Sequence, residues 1–293
     1  MKTRLKITVF IVALLATPSL LFAQFTGHYV PGVEGIKGSS LPPPGFYVRD
    51  YNVFYFANQL NDSNGHKLPM DFDAFVYANL IRPIWITDWK ILGASVGMDM
   101  IVPLQYTDVT VNGLGESKFQ IADLYFEPLT LSWHGQQFDA AFGYSFFAPT
   151  APSGKMADAG KGFWTHMLTL GATVYFDKEK TWSLSALNRY EFNTEYKDTG
   201  ITPGQIWTLE WGLSKSVTKT IELGVIGYYQ LQTTEDSGTH ASSNRDQVIG
   251  VGPEIVAFCP KLGLFTSLRY AYEFGAEDRP QGNTITLTLT RRF

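Results

Sequence analysis

The chain ends in Thr284-Ile-Thr-Leu-Thr-Leu-Thr-Arg-Arg-Phe293, and the reading of this stretch decides the fold. Successive side chains of a strand point to opposite faces, so Ile285, Leu287, Leu289 and Phe293 share one face and the threonines the other. An outer-membrane barrel needs such a strand to close on its first strand and to set a terminal aromatic in the periplasmic interface. In that reading a lysine at Leu287 meets lipid and a lysine at Thr288 does not. A secreted β-sandwich can end the same way, and the rest of the chain separates the two.

Met1 to Ala23 has the layout of a secretory signal for Sec-type export. Lys2, Arg4 and Lys6 form a positive start, Ile7 to Ala16 an apolar run, and Leu21-Phe22-Ala23 a cleavage site before Gln24. No later stretch reaches the roughly 20 uninterrupted apolar residues of a transmembrane helix, so insertion into a membrane is expected by strands. No cysteine follows the cleavage site, which argues against a lipoprotein, and the one cysteine, Cys259, has no partner for an internal disulfide.

Aromatic residues make up 15% of the chain, and charged residues 17% against a typical share of about 25%. With a net charge of −4, the chain has no basic footprint for nucleic acid. No Ser-rich or Pro-rich linker divides the sequence after the signal, and one domain is expected over 46–293.

Twelve alternating segments separated by turn chemistry can be traced, at 46–59, 70–83, 90–105, 119–133, 137–149, 163–177, 180–196, 205–216, 219–234, 246–258, 262–275 and 284–293. The connections after the even segments are short, with the second placed at Ile84 to Trp89. Those after the odd segments are longer and polar, as in Asn61 to Gly65, Thr150 to Gly162 and Glu235 to Arg245. Short periplasmic turns and long outer loops give a barrel this rhythm, and a soluble sandwich has no reason for it. Trp85, Trp89, Trp133 and Trp182 fall beside the short turns, and Trp164 and Trp207 near the long loops, as interfacial indoles would.

Alternation also assigns faces. Met98 and Met100 point out where Gly97 and Asp99 point in; Trp207, Leu209, Trp211 and Leu213 point out where Thr208, Glu210, Gly212 and Ser214 point in; Leu268, Tyr270 and Tyr272 point out where Arg269 and Glu273 point in. Nearly every mid-strand charge thereby avoids lipid. Segment 119–133 keeps its parity only with a bulge at Glu127-Pro128, where a proline is tolerated. The facing of 46–59 stays open.

The lumen so inferred carries Asp99, Asp123, Glu127, Glu191, Glu210, Glu222, Glu254 and Glu273 against Arg189 and Arg269. Half-buried charges must pair or stay wet, so these residues either brace the interior as a network or line a solute path. Neither reading requires catalysis. His28, His66, His134, His166 and His240 are dispersed without metal-ligand spacing, and no Gly-x-Ser-x-Gly occurs. No catalytic, cofactor or metal site is expected.

Residues 24–45 are rich in glycine and proline and include Pro42, Pro43 and Pro44, which favour an extended, ladder-free backbone. The segment is either a periplasmic tail or a plug in the lumen. Phe25, Tyr29, Val33 and Ile36 favour packing over floating.

Gly27-His-Tyr-Val-Pro-Gly32, Leu41-Pro-Pro-Pro-Gly-Phe-Tyr47, Ala122-Asp-Leu-Tyr-Phe-Glu-Pro-Leu129, Phe142-Gly-Tyr-Ser-Phe-Phe-Ala-Pro-Thr150 and the closing Phe293 resemble the outer-membrane family named for the meta-pathway of phenol degradation, also called SphA-like. The chain departs from it after Thr150, continuing Ala151-Pro-Ser-Gly154 where members often show Thr-Gly-Lys. The resemblance implies a porin-like channel for hydrophobic or aromatic compounds and brings no catalytic residues. The expectation is an all-β, twelve-stranded antiparallel transmembrane barrel with an N-terminal plug-like segment in a Gram-negative outer membrane. Its partners would be outer-membrane lipid, a small organic solute and, through the strand ending in Phe293, the barrel-assembly machinery. The rival expectation is a structural or adhesive barrel whose outer loops bind a partner.

Overall fold

The computed structural model describes residues 26–293, so the signal-like stretch and Phe25 lie outside the described residues. The described residues form strands and connections, with no helix among them. In chain order the strands are β1 (Gly45–Leu60), β2 (Phe72–Ile91), β3 (Ala94–Val111), β4 (Leu114–Ile121), β5 (Leu124–His134), β6 (Phe138–Ala148), β7 (Thr165–Tyr175), β8 (Trp182–Asn193), β9 (Ile201–Thr202), β10 (Ile206–Ser216), β11 (Ile221–Gln232), β12 (Ser237–Gly238), β13 (Gln247–Cys259), β14 (Leu264–Glu277) and β15 (Pro280–Arg292).

Thirteen of these pair in the order β2-β1-β15-β14-β13-β11-β10-β8-β7-β6-β5-β3-β4, and β2 also pairs with β3, which closes the sheet. β4 and β5 both pair with β3 and follow one another across Ala122-Asp123, so they are two halves of one wall strand. The wall is therefore a closed, antiparallel barrel of twelve strands. The remaining two, β9 and β12, make a small ribbon between outer loops.

β15 binds both its neighbours along its length, with Leu287 opposite Asn52 of β1 and Leu268 of β14. Ile285 is exposed, while Thr284, Thr286 and Thr288 are buried in the interior. The same parity holds on β10, where Trp211 and Leu213 are exposed and Thr208, Glu210 and Ser214 are buried, and on β14, where Leu268, Tyr270 and Tyr272 are exposed and Arg269 and Glu273 are buried. Apolar side chains out and charged ones in suit a barrel in lipid, where a charge on the outer face at mid-depth costs about 2 to 4 kcal/mol for Arg or Lys. The register slips between Phe126 and Leu129 against β6, which is the bulge at Glu127-Pro128.

Three sequence readings need correction. The connection after β2 is Leu92-Gly93, not Ile84 to Trp89: β2 runs on to Ile91, and both turn residues take positive φ. The connection after β3 is not a long loop but the tight turn Asn112-Gly113, again with positive φ at both residues, because β3 and β4 continue as a paired ribbon. This is the hairpin turn that Asn-Gly favours. Similarly, β14 and β15 extend to meet at Asp278-Arg279. The long outer loops are those after β1, β6, β8 and β11.

β1 keeps the period of two but, at mid-strand, turns apolar residues inward and polar ones outward. Tyr51 and Val53 face inward, packed with Val33 of the N-terminal segment. Asp50 and Asn52 face outward, where the Asn79 amide donates to Asp50 Oδ1 at 2.5 Å and the Tyr77 hydroxyl to Asn52 Oδ1 at 2.8 Å. Asp50 is thus an exception to the sorting of mid-strand charge away from lipid.

Candidate functional site

The inward charges of the wall converge on residues 26–44. Irregular backbone inside a barrel has no ladder to join, so its N–H and C=O groups must find side chains. Glu191 Oε2 accepts from the His28 amide at 2.8 Å, and Glu210 Oε1 accepts from Gly32 N at 2.8 Å and Glu34 N at 3.2 Å. Glu254 Oε2 accepts from Ile36 N at 2.6 Å. Arg269 donates through Nε to the Gly32 carbonyl at 3.1 Å and through Nη2 to the Val33 carbonyl. Two glycines permit the approach: a Cβ on Gly32, which has φ of 82°, would lie 2.8 Å from the Tyr228 ring, and one on Gly35 would lie 2.1 Å from Glu254 Oε2.

Side chains of the segment supply the rest. Tyr29 donates its hydroxyl to Glu210 Oε2 at 2.6 Å, and its ring lies under the Arg189 guanidinium at 4.1 Å. Arg189 Nη1 donates to Glu210 Oε2 at 2.7 Å. Glu34 sits at the centre, accepting from Arg82 Nη1 at 2.8 Å, Arg49 Nη1 at 3.1 Å and the Tyr51 hydroxyl at 2.9 Å. Arg82 also grips Asp99 through Nε and Nη2, each at 2.8 Å, and Glu127 Oε2 through Nη2 at 2.8 Å. Toward the periplasmic end, Lys37 pairs with Glu222 at 2.7 Å, and the carbonyls of Pro43 and Pro44 accept from the Tyr47 hydroxyl and Arg292 Nη2 at 2.8 and 2.9 Å. Pro42 lines a residual cavity beside Arg82.

At the outer end, His28 is buried between Asp123 and Thr165. Its Nε2 lies 3.0 Å from Asp123 Oδ2 and its Nδ1 2.6 Å from Thr165 Oγ1, while its ring stacks on Phe147 at 4.9 Å. A hydroxyl, an imidazole and a carboxylate in line have the composition of a nucleophilic triad. Thr165, however, is fully buried, and its Oγ1 also lies 2.6 Å from Asn193 Oδ1, so the trio ties the segment to the wall. The outer loop 149–164 closes over it: Lys161 N donates to Asp123 Oδ2 at 2.7 Å and Lys161 Nζ to Thr26 Oγ1 at 2.7 Å. Burial lowers the proton affinity of that ammonium below its ordinary range.

Nine of the ten charges proposed from the sequence, Asp99, Asp123, Glu127, Arg189, Glu191, Glu210, Glu222, Glu254 and Arg269, bind the segment directly or through one intervening arginine. Asp99 serves Arg82, and Glu273 holds Tyr55 and Tyr228 at 2.9 Å each. Sequence reasoning missed Arg49, Arg82, Glu34 and His28. Arg49 lay in the segment of undecided facing and Arg82 beside a misplaced turn. A lone arginine in the apolar run Leu80-Ile-Arg-Pro-Ile84 was the available signal.

A closed twelve-stranded barrel with an apolar outside and a charged, filled inside is an outer-membrane barrel protein. Residues 57–289 match the family described as "MetA-pathway of phenol degradation", and the chain belongs to that family. The fold is similar to an outer membrane channel from Pseudomonas putida F1, with a TM-score of 0.78 at 14% identity over 90% of this chain and 100% of that one. It is also similar to the beta domain of the Bordetella autotransporter BrkA, with a TM-score of 0.53 at 13% identity over 86% of this chain and 100% of that one. The translocator domain of the autotransporter NalP from Neisseria meningitidis gives a TM-score of 0.53 at 9% identity over 87% of this chain and 91% of that one. No curated relative matches the sequence.

Proposed function

We propose that this protein is a channel for passive entry of small organic solutes, aromatic compounds among them, and that residues 26–44 are its plug. One observation carries the reading: the segment is held by wall side chains such as Glu210, Arg269 and Glu254, whereas the wall is held by strand pairing. The segment can therefore withdraw without opening a ladder, and the charges it leaves line a path. Membership of a family named for phenol degradation supports an aromatic solute, and the relative described as an outer membrane channel supports the class. Phe293, exposed at the periplasmic rim with its amide bound to the Phe46 carbonyl at 2.9 Å, is the feature by which the assembly machinery takes up the last strand.

The test is uptake of radiolabelled phenol by cells whose outer membrane carries the barrel, compared with cells that lack it. Faster uptake is expected, and faster still when residues 26–44 are removed. Equal uptake in all three would leave a structural or adhesive barrel as the better description.

A further inference from the structure

The wall of β5, β6 and β7 differs from the rest of the lumen. Thr130 and Ser132 on β5 and Thr169 and Thr173 on β7 point inward and are more than nine-tenths buried, and their hydroxyls have no hydrogen-bond partner in the protein. They lie on the two strands that flank β6, with Thr173 at the far end opposite Asp139. Thr130 pairs with Gly143 of β6, which pairs with Thr169; Ser132 pairs with Ala141, which pairs with Gly171. Between two hydroxyl-bearing strands, β6 thus presents nothing larger than a methyl group at these two positions, which leaves a recess about 10 Å wide at ordinary strand spacing; with the segment in place, Glu127 occupies the space over Gly143, and Ser39 and Leu187 that over Gly171.

Four unmatched hydroxyls on the two strands flanking β6 are not a packing accident that a fold tolerates freely, because each buried polar group without a partner costs stability. A cavity of about 50 Å³ adjoins two of them, Thr130 and Thr169, which bound it with Glu127 on one side while Leu41, Pro42 and Ile84 bound it on the other. One side offers hydroxyls and a carboxylate, the other aliphatic carbon, and the guanidinium groups of Arg49, Arg82 and Arg189 also reach its lining. An apolar cavity of about 150 Å³ is needed to hold benzene, so the recess takes a ring only when residues 38–42 draw back.

We infer that this recess is a solute-contact site for a small molecule with a hydroxyl on a compact apolar body, such as a phenol, in preference to an unsubstituted hydrocarbon. The inference rests on the channel reading and adds to it where the solute touches the wall and what it must carry. The solute's hydroxyl donates to Glu127 or to a threonine oxygen and accepts from another threonine; its ring lies against Leu41 and Ile84. A hydrocarbon of the same size leaves the hydroxyls unmatched.

The experiment uses the full-length protein purified as a folded barrel, with Cys259→Ser removing the exposed native thiol. Thr169→Cys is treated with methyl methanethiosulfonate in the presence of phenol or of toluene at equal concentration. Phenol should slow modification roughly tenfold, the worth of one or two net hydrogen bonds, with little effect from toluene. Thr286→Cys, buried on the opposite wall, should be unprotected by either. Introducing Thr130→Val beside Thr169→Cys should erase the difference between phenol and toluene. The inference is overturned if the thiol at 169 reacts only after unfolding, if phenol and toluene protect it equally, or if phenol gives no protection. Uptake by cells is read separately, so loss of protection with uptake intact defeats the recess and spares the channel, and the reverse defeats the channel.

Discussion

The closing strand β15 and the N-terminal segment meet at the periplasmic end, where Arg292 Nη2 donates to the Pro44 carbonyl, yet they are held by opposite means. β15 is bonded to β1 and β14 from end to end, so its attachment is spread over many equivalent backbone bonds. The segment's attachment is concentrated in a few charged side chains, several of which serve more than one group: Glu210 serves Gly32, Glu34, Tyr29 and Arg189. A distributed attachment tolerates the loss of any single bond. A concentrated one can be released by a change at one residue, which is the property a removable element needs.

The largest test of this contrast removes the segment outright. A barrel lacking residues 26–44 should still close, because no strand pairing runs through them, and its conductance in a planar bilayer should rise severalfold with a shift toward cations as Glu191, Glu210, Glu222 and Glu254 lose their partners. A truncated barrel that folds and conducts no better than the intact one would show that the segment blocks nothing.

Next in size is the centre of the network. Arg82→Met leaves Glu34, Asp99 and Glu127 without their shared guanidinium, and breaking such a buried pair costs about 3 to 5 kcal/mol. Arg49→Met should cost less, because Arg49 is more exposed and Glu34 keeps Arg82. Urea unfolding in lipid vesicles measures both, and equal effects would mean that the centre of the network is not where the attachment is concentrated.

The distributed element has its own weak point, which is its lipid face. Leu287→Lys should cost about 2 to 4 kcal/mol if Leu287 lies at mid-depth. Leu287→Val, which keeps the face apolar, should cost under about 1.5 kcal/mol. Heat-modifiable migration after membrane assembly distinguishes them, and similar behaviour of the two would place β15 away from the lipid.

How much of this was legible in the sequence follows from the same contrast. β15, β10 and β14 could be read from period-two alternation because lipid enforces it on one side, and the bulge at Pro128 followed from the break in parity. β1 could not be read, since the N-terminal segment covers its inner face: Val33 makes Tyr51 and Val53 favourable inside, and Asp50 and Asn52 are left outside. His28 and Asp123 are brought together by the path of a segment that has no periodicity. Alternation also names a face without saying what fills it. Thr288 reads as a tolerant lumen position, yet its Oγ1 accepts from Arg269 Nη2 at 2.8 Å, so a lysine there would confront a guanidinium. The turns at Asn112-Gly113 and Asp278-Arg279 were obscured by the expectation that every outer connection is long.

The smallest expected effect separates the two walls of the lumen most finely. Thr286 of β15 is buried and its hydroxyl has no partner in the protein, as with Thr130 and Thr169 on the far side. It is opposite Arg269 of β14 and Val53 of β1, on the wall that the N-terminal segment covers. Replacing an unmatched hydroxyl by a methyl of the same shape removes a desolvated dipole and keeps the volume, so Thr286→Val should be neutral or stabilising by up to about 1 kcal/mol. It should leave phenol uptake unchanged. Thr130→Val and Thr169→Val should be similarly mild toward unfolding, since their hydroxyls are equally unmatched, but they should slow phenol uptake. Equal uptake in all three variants would mean that the hydroxyls of β5 and β7 do no more for the solute than the one under the segment, and that the two walls differ in packing alone.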